Sequence, residues 1–130
     1  MKASIWIGLA GAACLATSAL AAPALAAPTM PSGVHMANGA LADAAGKPLY
    51  VWDIDTMVGM SHCEGDCAKM WLPLPAPKDA KPMGDWSPIS REDGSLQWTY
   101  KTKPLYTYSG DTAGGPPTGE KVNKTWHLAH

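Results

Sequence analysis

The chain has 130 residues, of which 46% are hydrophobic and 16% charged, and its formal net charge is -1. This length fits one domain and excludes a two-domain enzyme. The near balance of charges removes the basic surface that binding to a nucleic-acid backbone requires, so we expect no nucleic-acid partner. Thirteen glycines and twelve prolines predict a turn-rich globule, and tryptophan and tyrosine must build its core because phenylalanine is absent.

The first residues have the pattern of a secretory signal peptide. A positive start at Lys2 precedes an uncharged apolar stretch over residues 5–22, and Ala24-Leu25-Ala26 offers the small residues of a cleavage site. Pro23 interrupts the stretch, which argues against a retained membrane anchor. We predict a signal peptide at 1–26, and a mature chain without a transmembrane segment that is periplasmic or secreted.

Lipidation at Cys14 is the alternative for this segment. The residue three positions before it is Gly11 rather than a large aliphatic residue, and the following residues stay apolar. The sequence therefore favours cleavage near Ala26 and a single β-rich domain over 27–130.

Two cysteines remain after cleavage, Cys63 and Cys67. In an oxidising compartment an even number of cysteines predicts a disulfide. Redox and metal roles are the alternatives, but a thiol oxidoreductase motif has two intervening residues and this pair has three.

An internal repeat organises the mature chain. Residues 47–59 recur as residues 103–115, with identical Lys, Pro, Leu, Tyr, Asp, Thr and Gly at seven of the thirteen positions. Farther along, Trp71 of the first segment corresponds to Trp126 of the second, with a one-residue change in spacing. We predict two homologous halves, about 38–72 and 93–127, joined by an irregular proline-rich connection at 73–88.

Both halves have the pattern of β structure. Large and polar residues alternate before and after a short turn in residues 95–108, which predicts an antiparallel hairpin, and residues 40–53 repeat that plan. A helical turn is expected over residues 67–71, ended by Pro73. The predicted fold class is mainly β: a small antiparallel domain of two homologous hairpin-containing halves, with one short helical turn and one disulfide.

Each repeated segment contains a Tyr, an aromatic residue two positions on and an Asp three beyond that. The two copies of this motif are Tyr50, Trp52 and Asp55, and Tyr106, Tyr108 and Asp111. With this motif, residues 38–128 resemble a family of bacterial secreted-repeat lipoproteins of unknown function. The resemblance implies export and a β-rich fold, and it carries no established activity, cofactor or catalytic residue.

Two interpretations of this motif are open. The Tyr and the aromatic residue lie on one face of a strand, and the Asp follows where the strand ends. In the structural interpretation the rings pack the core and the Asp caps a turn. In the functional one they form a stacking platform with an acidic rim for a flat or glycan-like ligand.

A candidate soft-metal site lies in the first half. Met57, Met60 and His62 bring two thioethers and an imidazole within six positions, and such ligands suit Cu(I). No other cofactor is predicted. A hard-ion site on Asp53 and Asp55 is a further alternative.

The remaining polar residues indicate no catalytic centre. Adjacent Ser61 and His62 do not supply the oriented nucleophile, base and third group of acyl transfer. We interpret Arg91, beside Glu92 and Asp93, as a turn ion pair. His127 and His130 fall in a segment expected to be a solvated terminus.

The predicted function is that of an exported, small, non-catalytic module that binds an unknown envelope protein or small ligand. The alternative is a periplasmic soft-metal (copper) or redox accessory protein that uses Met57, Met60 and His62.

Overall fold

The computed structural model describes residues 30–130 together with residues 3, 4, 8 and 11. Cys14 and most of the predicted signal peptide lie outside the described residues. All strand pairs are antiparallel, which confirms the predicted mainly β class. The elements in chain order are β1 His35–Ala37, β2 Ala40–Ala42, β3 Leu49–Trp52, α1 Asp66–Met70, β4 Trp71–Pro73, β5 Pro75–Ala76, β6 Trp86–Ser90, β7 Leu96–Tyr100, β8 Lys103–Pro104, β9 Tyr106–Tyr108, a 3-10 helix Gly119–Lys121 and β10 Trp126–Leu128.

The central sheet interleaves the two repeats. Its strand order is β10-β3-β9-β4, so the motif strand of each repeat is flanked by an outer strand of the other. Tyr50 lies opposite Tyr106 at its centre. Trp126 pairs with Trp52 on one side, and Trp71 pairs with Tyr108 on the other. The sheet therefore has approximate two-fold symmetry.

The predicted hairpins form only beside their turns. In the second repeat β7 pairs with β8, and in the first the counterpart is a single bridge between Ala42 and Pro48. Pro48 and Pro104 lack the backbone N–H that would extend the ladder. Beyond each proline the chain crosses into the central sheet, so the hairpins predicted over 40–53 and 95–108 are present as short antiparallel pairings beside their turns.

The proline-rich connection 73–88 is less irregular than expected. It contains β5, which pairs with β7, and the first residues of β6. Strand β6 lies at an edge of the sheet β5-β7-β6, with Pro88 opposite Trp98. An edge strand tolerates proline because its outer side needs no hydrogen-bond donor.

The helical turn and the disulfide are confirmed. Helix α1 begins at Asp66, one residue before the predicted start, and the bond between Cys63 and Cys67 ties it to the preceding loop. Cys63 is fully buried. The 3-10 helix Gly119–Lys121 was not expected from the sequence.

Two hydrophobic clusters lie on opposite faces of the central sheet, because successive side chains of a strand point to opposite sides. Along β3, Leu49 enters one cluster and Tyr50 the other; along the second repeat, Leu105 and Tyr106 do the same. The cluster around Leu49 and Leu105 also contains Leu41, Leu74, Trp86, Trp98 and Ala129. The cluster around Tyr50 and Tyr106 also contains Cys63, Trp71 and Trp126.

The C-terminal segment is a strand rather than a solvated terminus. β10 pairs with β3, which places His127 opposite Val51. The ring of His127 remains exposed and its Nε2 lies 2.9 Å from Oδ2 of Asp53. His130 is exposed at the end of the chain.

Candidate functional site

The tyrosine of each motif forms a hydrogen bond with the aspartate of the other motif. The hydroxyl of Tyr50 donates to Oδ2 of Asp111 at 2.6 Å. The hydroxyl of Tyr106 donates to Oδ2 of Asp55, also at 2.6 Å. Burial, with the hydrogen bond to the partner carboxylate, raises the pKa of both phenols above the ordinary value. Each motif therefore closes on the other copy and not on itself.

Each of these aspartates also fixes the loop that follows it. Oδ1 of Asp55 accepts the backbone N–H of His62 at 2.7 Å, and Oδ1 of Asp111 accepts that of Thr118 at 2.9 Å. Both carboxylates are buried. Because both oxygens of Asp55 already accept hydrogen bonds, this residue is poorly suited to the hard-ion site considered with Asp53.

Trp52 and Tyr108, the second aromatic residues of the two motifs, form one column of rings with Trp126 and Trp71. Trp52 stacks on Trp126 at 4.8 Å between centroids, Trp126 on Trp71 at 3.8 Å, and Trp71 lies 4.6 Å from Tyr108. Trp71 and Trp126 are buried and covered by rings on both faces. These two rings therefore contribute to packing and present no open face to a ligand.

The loop of residues 54–62 in the first repeat exposes large apolar side chains. The exposed fractions are 51% for Ile54, 55% for Met57, 77% for Val58 and 46% for Met60. The backbone N–H of Met60 donates to the carbonyl oxygen of Met57 at 3.3 Å, and Gly59 has φ of +82°. A reverse turn with a left-handed glycine therefore lies at the tip of the loop.

The equivalent loop of the second repeat, residues 110–118, has a different surface. It consists of Gly, Asp, Thr, Ala and Pro, and apart from Asp111 its residues are small or cyclic. An equivalent tyrosine–aspartate hydrogen bond supports each of the two loops. The fold consequently does not require large apolar side chains at this place.

An open cavity of about 430 Å³ lies beside the first loop. Its lining residues include Met60, Ser61, His62, Glu64 and Arg91. Met57 is not among the lining residues, so of the three predicted soft ligands the cavity brings together Met60 and His62.

One of the lining residues, Arg91, has a buried side chain. Arg91 donates to Oγ of Ser61 at 3.0 Å, to Oε1 of Gln97 at 2.7 Å, to the carbonyl oxygen of Cys63 and to Oε2 of Glu64 at 3.0 Å. The interpretation of Arg91 as a turn ion pair with its sequence neighbours is wrong, because its side chain turns into the protein. The sequence signal that could have found it is that Arg91 is the chain's single arginine, and a planar fork of donors suits a buried junction.

Ser61 and His62 do not contact each other in the manner of a nucleophile and its base. The hydroxyl of Ser61 lies 2.6 Å from that of Tyr106 and accepts from Arg91. Nδ1 of His62 lies 3.4 Å from Oδ1 of Asp55. The two side chains therefore belong to different contacts.

Within residues 30–130 and the other described positions, no group of three or more His, Cys, Asp and Glu side chains is arranged to hold a metal. The same residues include no helix with the length and hydropathy to cross a lipid bilayer.

Fold and site define a small, mainly β module of two interlocked repeats. A lipoprotein family described as a secreted repeat of unknown function matches residues 34–74 and 87–130. Because the two matches cover more than half of the chain, the protein belongs to this family, as the resemblance implied. No curated protein and no solved structure matches the chain.

Proposed function

We propose that the protein is an exported, non-catalytic binding module of the cell envelope, and that the loop 54–62 of the first repeat is its recognition surface. Export is supported by the signal-peptide pattern at 1–26 and by the description of the family as secreted. The mature chain begins near residue 27 and is periplasmic or secreted, without lipidation at Cys14.

The observation that carries the binding role is the difference between the two loops. Val58 is 77% exposed at the tip of the first loop, whereas the equivalent second loop has no large apolar side chain. Exposed apolar side chains clustered on a soluble protein mark interaction sites. Both loops are held at their base by equivalent buried tyrosine–aspartate hydrogen bonds. The exposed apolar side chains of the first loop are therefore not needed for folding, which supports a role in binding.

The anchoring of the loop also favours recognition. Asp55 holds the backbone at His62, and Nζ of Lys103 donates to the carbonyl oxygen of Asp55 at 3.1 Å. A loop that is fixed at its base loses less conformational entropy when it binds.

Site-specific photo-crosslinking in producing cells tests the proposal. A benzophenone amino acid is placed at position 58 and, as the matched control, at the exposed position 113 of the second loop. We expect a discrete adduct in the envelope fraction from position 58 and none from position 113. No adduct at 58, or the same adducts from both positions, would overturn the recognition surface.

Mass spectrometry of the same protein tests export. The expected product begins near residue 27 and carries no lipid. A retained N-terminus or a lipid on Cys14 would contradict this part of the proposal.

A further inference from the structure

We infer that the first loop binds one Cu(I) ion through the thioether sulfurs of Met57 and Met60 and Nε2 of His62. The inference rests on the proposed function in taking this loop as the recognition surface, and it names a chemical class of ligand for it.

The turn at the loop tip brings the backbones of Met57 and Met60 close together. Met57 and Met60 are its first and fourth residues, joined by the 3.3 Å backbone hydrogen bond across Val58 and Gly59. The Cα atoms at these positions of a reverse turn lie within about 7 Å. Methionine has three rotatable side-chain bonds, so both sulfurs can reach one ion between them.

His62 is oriented as a metal-binding histidine is. Its backbone N–H is held by Asp55, and its Nδ1 lies 3.4 Å from the same carboxylate oxygen. In metal sites the ring nitrogen that does not bind the ion commonly faces a carboxylate, which leaves Nε2 for the metal. The side chain is 36% exposed, and it lines the same open cavity as Met60.

The available ligand chemistry selects a soft ion. Thioether and imidazole are neutral ligands that suit Cu(I), whereas hard divalent ions prefer carboxylates. Two carboxylates beside the loop are engaged: Asp55 accepts from Tyr106 and His62, and Glu64 accepts from Arg91.

The second repeat supplies an internal comparison. The positions equivalent to Met57, Met60 and His62 are Ala113, Pro116 and Thr118. The fold thus forms the loop without sulfur or imidazole. All three candidate ligands occur together in one repeat and together are missing from the other.

The test is a competition titration of the mature, disulfide-intact protein with Cu(I) against a chromophoric chelator, under anaerobic conditions with ascorbate as reductant. We expect one Cu(I) per protein. Met57→Ala, Met60→Ala and His62→Ala should each weaken binding at least about tenfold. X-ray absorption of the loaded protein should report sulfur and nitrogen ligands.

Matched controls are available in the chain. Met36 and Met70 are exposed to a similar extent, 50% and 48%, and His130 is also exposed. Met36→Ala, Met70→Ala and His130→Ala should leave the affinity unchanged. A Cys63→Ser, Cys67→Ser variant should retain the binding, which excludes copper held by reduced thiols.

Thermal melting of each variant separates lost ligands from lost folding. No binding in the competition, or equal losses from ligand and control variants, would overturn the inference. Copper binding without an adduct at position 58 would overturn the protein-recognition surface alone, and an adduct without copper would overturn the copper site alone.

Discussion

The phenolic oxygen of Tyr50 lies 2.6 Å from Oδ2 of Asp111, 61 residues farther along the chain. Its counterpart joins Tyr106 to Asp55 across the same antiparallel pair of strands. A tyrosine of either repeat thus completes the loop anchor of the other. The motif explains why two copies fold as one unit: an isolated repeat would leave a buried phenol and a buried carboxylate without their partners.

A double-mutant cycle measures this exchange. Tyr50→Phe should lower the free energy of unfolding by about 2 kcal/mol, because the buried carboxylate of Asp111 loses a hydrogen bond. Combined with Asp111→Asn, it should show a coupling energy of about 1 kcal/mol, whereas with Asp55→Asn it should be additive within about 0.5 kcal/mol. Denaturant unfolding provides the values. Tyr108→Phe is the control, since that hydroxyl makes no hydrogen bond among the described residues; a larger coupling with Asp55 would refute the exchange.

The disulfide should stabilise the first loop. Replacing Cys63 and Cys67 by serine should lower the free energy of unfolding by about 2 kcal/mol. The loss is limited to this size because the bond closes only a short loop. The native protein should show no free thiol when titrated without reductant. Two reactive thiols, or an unchanged denaturation midpoint in the double variant, would contradict a structural disulfide.

Alkaline pH should weaken the fold through the two buried phenols. The pKa of Tyr50 and that of Tyr106 are raised by burial and by their aspartate partners, so the folded protein retains protons that the unfolded chain releases above about pH 10. This stability is fully present below pH 10 and declines as the pH rises toward the folded pKa.

The absorbance of phenolate during an alkaline titration checks this directly. Two of the four tyrosines should ionise only together with the unfolding transition seen by circular dichroism. Tyr50→Phe and Tyr106→Phe should each remove one of these late phenols. If all four ionise before the protein unfolds, the buried bonds are not as described.

Arg91 should be among the most sensitive positions of the surface cavity. Arg91→Ala should lower the free energy of unfolding by about 3 kcal/mol. The substitution leaves the buried acceptor oxygens of Gln97 and Cys63 without a hydrogen-bond donor and removes the cation that pairs with Glu64. The exposed neighbour Glu92 is the control, and Glu92→Ala should change stability by less than about 0.5 kcal/mol. Similar midpoints for both variants in denaturant would show that the network contributes little.

The sequence by itself determined the features that depend on near neighbours. Strand positions follow from alternating residues such as those of 96–100, and the helical turn from the short run before Pro73. The disulfide follows from two cysteines four positions apart, and the duplication from the recurrence of residues 47–59 at 103–115. Each of these patterns is read within a short segment, where backbone geometry limits the alternatives.

Only the tertiary structure decided how the segments are joined. The sequence left open whether the motif was a platform or a core, and no local pattern indicated that Tyr50 would bond the second repeat's Asp111 instead of its own Asp55. Arg91 was misread for the same reason: its partner Glu64 lies 27 residues away, whereas Glu92 and Asp93 are adjacent. Such contacts are selected by burial, since a buried polar group must find a partner wherever the folded chain provides one, at any sequence separation.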